Sequence, residues 1–446
     1  MLATEKIIIE DPKQTLLRKI WDHSALVGMV GLGYVGLPLA VEKAKVGYRV
    51  IGIDKNSSRV KQLNQGQNYI SDVKTEELRD LLKRERFHAV SDFSNISDMD
   101  VIVITVPTPL TEHLVPDLSY VEDATREIAS KLRPGQLISL ESTTYPGTTE
   151  EVMLPILEKS GLKVEQDFFL VHSPERIDPG NHFFATSNIN KLVGGVGIES
   201  LEVAVAFYSQ AIPKIVPVSS AWVAEMAKVY ENTFRSVNIA LVNEMAMLCD
   251  RMGLNVWEVL DAAFTKPFGI MPFYPGPGVG GHCIPLDPHY LEWKAKEHNF
   301  TTHFISLAGE INRSMPQFVR DKTIRILNRL GLAISKAKIL VVGVAYKKNV
   351  SDYRESPALD VIRLLLADNT NLAYHDPYVA TIHNEHFEMS NVNLSESSVK
   401  EADLVLILTS HSNIDYEWLV SQARHVFDTR YATKNVKHHR EKITML

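Results

Sequence analysis

The stretch ALVGMVGLGYVGLPLAVEKAKVGYRVIGID, Ala25–Asp54, decides the architecture. It opens on an apolar run, Ala25–Val30, with the composition of a parallel strand buried on both faces. Gly31-Leu-Gly33-Tyr34-Val35-Gly36 follows, then a predicted helix from about Leu37 to Gly47 and a second strand, Tyr48–Ile53, ending at Asp54. Strand, glycine loop, helix and terminal acid in that order make the dinucleotide fingerprint. Gly31 makes the tight turn, Gly33 admits a pyrophosphate to the backbone, and Gly36 lets helix and strand pack closely. The helix N-terminus turns its partial positive charge toward the phosphates. Asp54 lies 18 residues past Gly36, where an acid meets the ribose hydroxyls. Its carboxylate would repel a 2′-phosphate, so NAD is favoured over NADP, although Arg59 is able to pair with such a phosphate.

The α/β rhythm continues outward from this unit. Asp100–Val106 is a buried strand ending in Pro107-Thr108-Pro109, and Asp117 is placed to cap a helix over Ser119–Leu132. Leu137–Glu141 ends in Ser142-Thr143-Thr144, and Phe168–Val171 ends in Ser173-Pro174-Glu175-Arg176. Ligands of doubly wound sheets sit beyond the carboxyl ends of the strands, so these three strand ends should line one crevice. Ordinary turn chemistry is the alternative for each.

A helix capped by Ser219 or Ser220 should run from Ala221 to about Met252, where Gly253 stops it. Its roughly 32 residues would span about 48 Å, enough to link two domains and to pair with a second subunit through an apolar face. Lys228 and Asn232 are one turn apart on it. They are either a solvated cation and amide or a donor pair aimed at a developing oxyanion. Cys249 reads as a core thiol. Further on, Gly276–Pro288 (GPGVGGHCIPLDP) is too rich in Gly and Pro for helix or strand, and presents Cys283 from a loop of fixed shape with Asp287 four residues later. Cys283 is either a buried structural thiol or one that a small molecule reaches. A metal site from His282, Asp287, His289 and Cys283 would quench that reactivity.

The last third repeats the α/β pattern. Lys338–Gly343 is a strand ending at glycine, Ser356 and Pro357 suit the start of a helix over Ala358–Ala367, and Leu372–His375 and Asp403–Leu408 are further strands. The full glycine fingerprint is missing here. Lys347, Lys348 and Arg354 stand in its loop instead, which suits a nucleotide diphosphate or is simply a solvated charge cluster. The expected architecture is α/β, with two Rossmann-like doubly wound domains joined by a long central helix. Residues 1–24 are an extension with an amphipathic helix near Gln14–His23, 25–218 the dinucleotide domain, 219–325 a central helical domain with the cysteine loop, and 326–446 the second Rossmann-like domain.

Bulk composition narrows the classes. A chain of 446 residues with 45% hydrophobic content builds its core without metals or disulfides, and a net charge of -7 leaves no nucleic-acid footprint. Two distant cysteines fit a reducing cytoplasm. No apolar run reaches about 18 residues, and the acidic N-terminal stretch carries no cleavable signal, so neither membrane span nor export is expected.

Taken together, the motifs resemble the UDP-glucose/GDP-mannose dehydrogenase family from about Ala25 to Tyr431. They are GLGYVG (Gly31–Gly36), TVPTP (Thr105–Pro109), EST (Glu141–Thr143), SPER (Ser173–Arg176), AKVYEN (Ala227–Asn232), GGHCIPLD (Gly280–Asp287), KKNVSDYRES (Lys347–Ser356) and FDTR (Phe427–Arg430). The resemblance implies a four-electron oxidation at C6 of a UDP-sugar, with two NAD⁺ consumed; the length of the central helix separately motivates the expectation of a homodimer through it. It makes Cys283 the nucleophile. Lys228 and Asn232 become oxyanion donors, Asp287 and Glu175 candidates to activate water, and Thr143 a residue that positions it. NAD contacts are implied at Gly31, Gly33, Tyr34, Val35, Gly36, Asp54, Arg59, Val106, Pro107, Thr108, Ser142, Thr143 and Arg354. Substrate contacts are implied at Glu175, Arg176, Lys228, Asn232, Phe273, Tyr274, Gly276, Gly280, Tyr346, Lys347 and Arg430; no metal is implied. The UDP-glucose branch usually carries Lys three residues after its cysteine, where this chain has Leu286. GGHCIPLDPHYL and SPERIDPGN look like the branch acting on UDP-N-acetylhexosamines, and the run Asp178–Asn181 is similar to that of UDP-N-acetylglucosamine 6-dehydrogenases. UDP-N-acetylmannosamine, UDP-N-acetylgalactosamine and UDP-glucose are the alternatives. A two-electron hydroxyacid dehydrogenase, which needs no thiol, and a non-catalytic sensor of NAD and sugar nucleotide are the rivals from other classes.

Overall fold

The computed structural model describes residues 11–70, 73–111, 113–176, 188–281 and 283–446. The run Asp178–Asn181, His282 and the first ten residues of the N-terminal extension lie outside them. The chain divides into two compact units, one reaching to Glu231 and taking in Trp293–His298, the other holding Asn232–Glu292 and Asn299–Leu446. The division falls within the helix Ala221–Met252, which begins in the first unit and ends in the second.

In the first unit β1 (Leu26–Val30), β2 (Arg49–Ile53), β3 (Phe87–Val90), β4 (Val101–Ile104), β5 (Leu137–Leu140), β6 (Phe169–His172), β7 (Lys191–Gly195) and β8 (Ile215–Val218) form one sheet. The order is β3-β2-β1-β4-β5-β6-β7-β8, parallel throughout except where β6 meets β7. The apolar runs are explained by burial on both faces. Val101 and Val103 join Val27, Met29, Leu39 and Phe207 on one side, and Ile102 and Ile104 join Ile128, Ile138 and Met153 on the other. The strand order reverses between β1 and β4, which opens the crevice at that point. Strands β3 and β8 carry weaker sequence signals because both are edges; β8 even tolerates Pro217, which an inner strand would not.

The helix at the N-terminus, Pro12–Trp21, is capped by Asp11, whose side chain accepts from the Lys13 N–H at 3.0 Å. Its Leu16 and Ile20, one turn apart, are fully buried in the first unit's core. Such burial contributes roughly 1.5–3 kcal/mol per side chain. Tyr48 donates its hydroxyl to the Ile20 carbonyl at 2.9 Å, fixing the far end.

The second unit holds a five-stranded, all-parallel sheet in the order β10-β9-β13-β14-β15. The strands are β9 (Lys338–Val342), β10 (Asn371–His375), β13 (Leu404–Ile407), β14 (Val426–Asp428) and β15 (Ile443–Met445). A small antiparallel hairpin, β11 (Thr381–His383) with β12 (Glu388–Ser390), stands beside it. The helix Pro357–Ala367 starts as the sequence predicts, with Ser356 Oγ accepting from the Ala358 N–H and Pro357 in the first turn. Both units are Rossmann-like. The long helix is bounded by its own chemistry: Ser220 Oγ accepts from the Val223 N–H at 3.3 Å, and at the other end Gly253 takes φ +71° while the Leu254 N–H closes on the Cys249 carbonyl at 2.9 Å. Cys249 is a packed core thiol.

Candidate functional sites

In the first unit the fingerprint loop is shaped by close packing. Gly31 sits at φ +92°, and a Cβ there would lie 2.6 Å from the Thr105 carbonyl oxygen. A Cβ on Gly36 would lie 1.9 Å from the Gly31 oxygen, whereas at Gly33 nothing among the described residues comes within 4 Å. Two glycines are thus demanded by the protein and the third faces open space, the arrangement a pyrophosphate needs. Tyr34 is exposed and Val35 half-buried beside it. The Thr105 hydroxyl ties the switch point together, 3.0 Å from the Val30 oxygen and 2.8 Å from that of Gly31. Asp54 is held at the end of β2 by the Leu32 N–H (3.1 Å) and the Asn56 N–H (2.9 Å), with Arg59 Nη1 3.6 Å away. Ser142 Oγ donates to the Val106 carbonyl at 2.7 Å and Thr108 Oγ1 to the Thr143 carbonyl at 2.8 Å, while Pro107 is exposed. The ends of β4 and β5 are therefore stitched into one wall.

A second group gathers beyond β5 and β6. Glu175 Oε1 accepts from the Arg176 N–H at 2.7 Å, and the Arg176 guanidinium forks onto Glu231 at 2.6 and 3.2 Å. Lys191, on β7, bonds Glu141 and lies 3.4 Å from Glu175 Oε2. Tyr208 donates to Glu141 Oε1 at 2.6 Å. Burial works against the charge of Lys191, but Glu141 and Glu175 outweigh it and hold the ammonium protonated. His172 is wholly buried, and neither ring nitrogen finds a partner among the described residues. Burial, with the cations Lys191 and Lys228, pushes it down to about 3, so the imidazole stays neutral. Lys191, Tyr208 and His172 were not singled out by the sequence, because no recognised motif marks them and their surroundings are set by distant residues. Lys228 is buried on the long helix, one turn before Asn232.

In the second unit the Asn232 amide donates to the Asp287 carboxylate, and the Asp287 N–H donates to the Cys283 carbonyl at 2.9 Å. Cys283 is exposed, just ahead of the helix Asp287–Glu297. The neighbouring glycines serve packing. A Cβ on Gly278 or Gly280 would meet Pro357 at 2.9 or 2.8 Å, and one on Gly281 would meet the Tyr346 ring at 3.1 Å. His289 is engaged by Glu292 (3.0 Å) and Arg313 (3.2 Å), and among the described residues no three His, Cys, Asp or Glu side chains are grouped to hold a metal ion.

The segment before the cysteine is equally constrained. Phe273 packs edge-on against Phe234, the Gly276 N–H donates to Asn243 Oδ1 at 3.0 Å, and a Cβ on Gly276 would lie 2.5 Å from Arg430 Nη1. Alongside lies a cavity of about 460 Å³ lined by Trp257, Tyr274, Tyr346, Lys347, Arg430 and Tyr431 among others. Trp257 stacks on Tyr431 at 4.7 Å and on Tyr274 at 5.8 Å. Tyr274, Tyr431 and Lys434 all converge on Asp261. Arg430 Nε donates to the Leu408 carbonyl at 2.9 Å, and although burial pulls its guanidinium down to about 10 it is charged at neutral pH. Aromatic faces beside fixed cations suit a base and its phosphates. Arg354 is forked onto Asp352 at 2.9 and 2.7 Å.

Residues 25–212 match the NAD binding domain of the UDP-glucose/GDP-mannose dehydrogenase family, residues 222–314 its central domain, and residues 340–435 its UDP binding domain. The chain belongs to this family. It is an NAD-dependent UDP-sugar dehydrogenase. The UDP-N-acetyl-D-glucosamine 6-dehydrogenase of Pseudomonas aeruginosa is 37% identical over 91% of this chain and 96% of its own length. The solved UDP-D-ManNAc dehydrogenase of Pyrococcus horikoshii superposes with a TM-score of 0.84 at 34% identity, over 92% of this chain and 96% of that one. The NDP-N-acetyl-D-galactosaminuronic acid dehydrogenase structure from Methanosarcina mazei Go1 gives 0.79 at 31%, over 98% and 97%. Three relatives of similar closeness thus carry three different sugar names. In this dehydrogenase the fingerprint loop and Asp54 fit the dinucleotide: Gly33 leaves the approach open, and Asp54 is anchored where a ribose would sit. No helix among the described residues is long and apolar enough to cross a membrane.

Proposed function

We propose that the dehydrogenase oxidises C6 of UDP-N-acetylglucosamine to the carboxylate, consuming two NAD⁺ per sugar. The observation that carries a four-electron rather than a two-electron reaction is Cys283, an exposed thiol immediately before the N-terminus of the helix Asp287–Glu297. Helix N-termini favour negative charge, the form in which a thiol is nucleophilic. Bound NAD⁺ supplies the hydride acceptor. An aldehyde carries no oxyanion to expel a hydride; thiolate addition makes a thiohemiacetal that does, and its oxidation leaves a thioester. Water then attacks the acyl carbon, its proton passes to Glu175, the carbon–sulfur bond breaks and Cys283 leaves as thiolate. In this reading Lys228 and Asn232 stabilise the oxyanions, Asp287 orients the Asn232 amide it already binds, and Thr143 positions the water. The slot of Trp257, Tyr274, Tyr346, Lys347, Arg430 and Tyr431 takes the UDP moiety, and the segment Phe273–Gly281 the sugar.

The choice of N-acetylglucosamine leans on the Pseudomonas aeruginosa relative, with the mannosamine and galactosamine epimers as alternatives. A homodimer is part of the proposal: Phe234, Leu241, Leu248 and Met252 leave an exposed apolar stripe along the long helix. Neither cysteine is disulfide-bonded, which fits a cytoplasmic setting. The test is stoichiometry. With excess NAD⁺ and limiting UDP-N-acetylglucosamine, two NADH per sugar are expected, and Cys283→Ser should not pass the aldehyde. One NADH per sugar from the native protein would remove the role of Cys283. No NADH would redirect the assay to the epimers and UDP-glucose.

A further inference from the structure

We propose that Lys191 is a positioning residue for Glu175: its ammonium, shared between Glu141 and Glu175, holds the Glu175 carboxylate in place for the hydrolytic step. The inference rests on the reading of Glu175 as the group that takes the proton from water. Lys191 is almost completely buried, with 5% of its side chain exposed, against 0% for Glu141 and 11% for Glu175. It bonds Glu141 directly and lies 3.4 Å from Glu175 Oε2. A lysine needed only to neutralise Glu141 would require one of these contacts. Glu141 is moreover supplied with a second donor, the Tyr208 hydroxyl at 2.6 Å, itself 2.8 Å from Ser139 Oγ. The cation is thereby left to serve two carboxylates, one enclosed and one at the open end of β6.

The charged and titratable groups around Lys191 come from every adjoining element. Glu141 lies just past β5, His172 ends β6 and Glu175 lies three residues beyond it. Tyr208 presents its ring 5.5 Å from the ammonium. Lys43, on the helix Gly36–Lys45, feels both Glu141 and Lys191, and Lys228 acts on His172 from the long helix. Lys43 donates to the Phe207 carbonyl at 3.1 Å and burial holds His172 neutral, while Lys191 contacts both carboxylates.

The experiment is the pH dependence of kcat for NADH formation from NAD⁺ and the UDP-N-acetylhexosamine that turns over. Lys191→Met alone would bury an unpaired Glu141 and risk unfolding. The paired variant Lys191→Met with Glu141→Gln removes both charges at once. Its acid limb should move up by about 1–3 pH units, the usual effect of losing an adjacent opposite charge, with KM for both substrates within about twofold. Glu141→Gln alone should move the limb the other way, since Lys191 is then left to Glu175, and Lys191→Arg should restore it. A paired variant that is less stable but whose acid limb stays within about 0.3 units of the native protein overturns the proposal. Glu175→Gln separates the two readings: if its acid limb persists unchanged, the assignment of Glu175 falls instead.

Discussion

The two Rossmann-like units use one turn for two purposes. Each first strand ends at a glycine in the left-handed region, Gly31 at φ +92° and Gly343 at φ +81°. In each, a Cβ would collide with the backbone oxygen of a threonine across the switch point, Thr105 at 2.6 Å and Thr409 at 2.2 Å. Each second strand delivers an aspartate that accepts from the turn: Asp54 from the Leu32 N–H, Asp376 from those of Val344 and Ala345. Beyond that they diverge. The first unit continues with Gly33 and Gly36, and its backbone is open to a pyrophosphate. The corresponding positions of the second are Ala345 and Lys348. Asp376 is fully enclosed and already bonded to His411 Nε2 (2.9 Å) and the Tyr378 N–H (2.8 Å). The second unit turns side chains, Lys347 and Arg430, toward its cavity instead. A ligand held by backbone amides is selected by shape, one held by side chains by charge and stacking.

Four substitutions, one of them a control, probe this contrast. The largest effect belongs to Gly36→Ala, whose Cβ has no room against the Gly31 oxygen. NAD⁺ Kd by calorimetry should rise about 100-fold, or roughly 2.7 kcal/mol, with nucleotide-sugar affinity retained. Gly343→Ala is the control; if it weakened NAD⁺ equally, the division of labour would be wrong. Next, Arg430→Ala removes a charge-assisted contact of the proposed UDP slot. It should weaken UDP binding by about tenfold or more in titration and leave NAD⁺ alone. Equal losses for both ligands would break the comparison. The smallest is Asp376→Asn, with a cost of about 1 kcal/mol at pH 7 in urea denaturation. Burial raises the Asp376 carboxyl, but the hydrogen bonds of His411 and the Val344 N–H outweigh it and hold it below the usual value. Its contribution is therefore present above the ordinary carboxylate range and lost as pH falls through the lowered value. The gap between variant and native protein should narrow as pH falls below about 4; a gap that stayed unchanged on further acidification would deny Asp376 its ionised role.

The fingerprint of the first unit was legible because each element of Ala25–Asp54 constrains the next within thirty residues. The caps at Ser220 and Ser356 were legible for the same reason, since a cap and its helix are adjacent. Lys191 was not, because its partner Glu141 lies 50 residues upstream and only the pairing of β5 with β6 and of β6 with β7 brings them together. The glycines before Cys283 read as a loop of fixed shape, but what fixes it is distant: Gly278 and Gly280 meet Pro357 and Gly281 meets Tyr346, nearly 80 and 65 residues further on. Asn232 reads as an oxyanion donor, and its bond to Asp287, 55 positions away, became visible only in the fold.

Sequence by itself determined the two α/β units, the dinucleotide turn, the long helix and its stops, and the family. Each follows from periodicity, composition or spacing over short stretches, where backbone geometry leaves few options. Tertiary structure decided which charges share a partner, why each glycine is a glycine, and where the aromatic slot lies. Those depend on residues far apart in the chain, and the energy of a buried charge or a missing Cβ is set by whatever the fold brings against it.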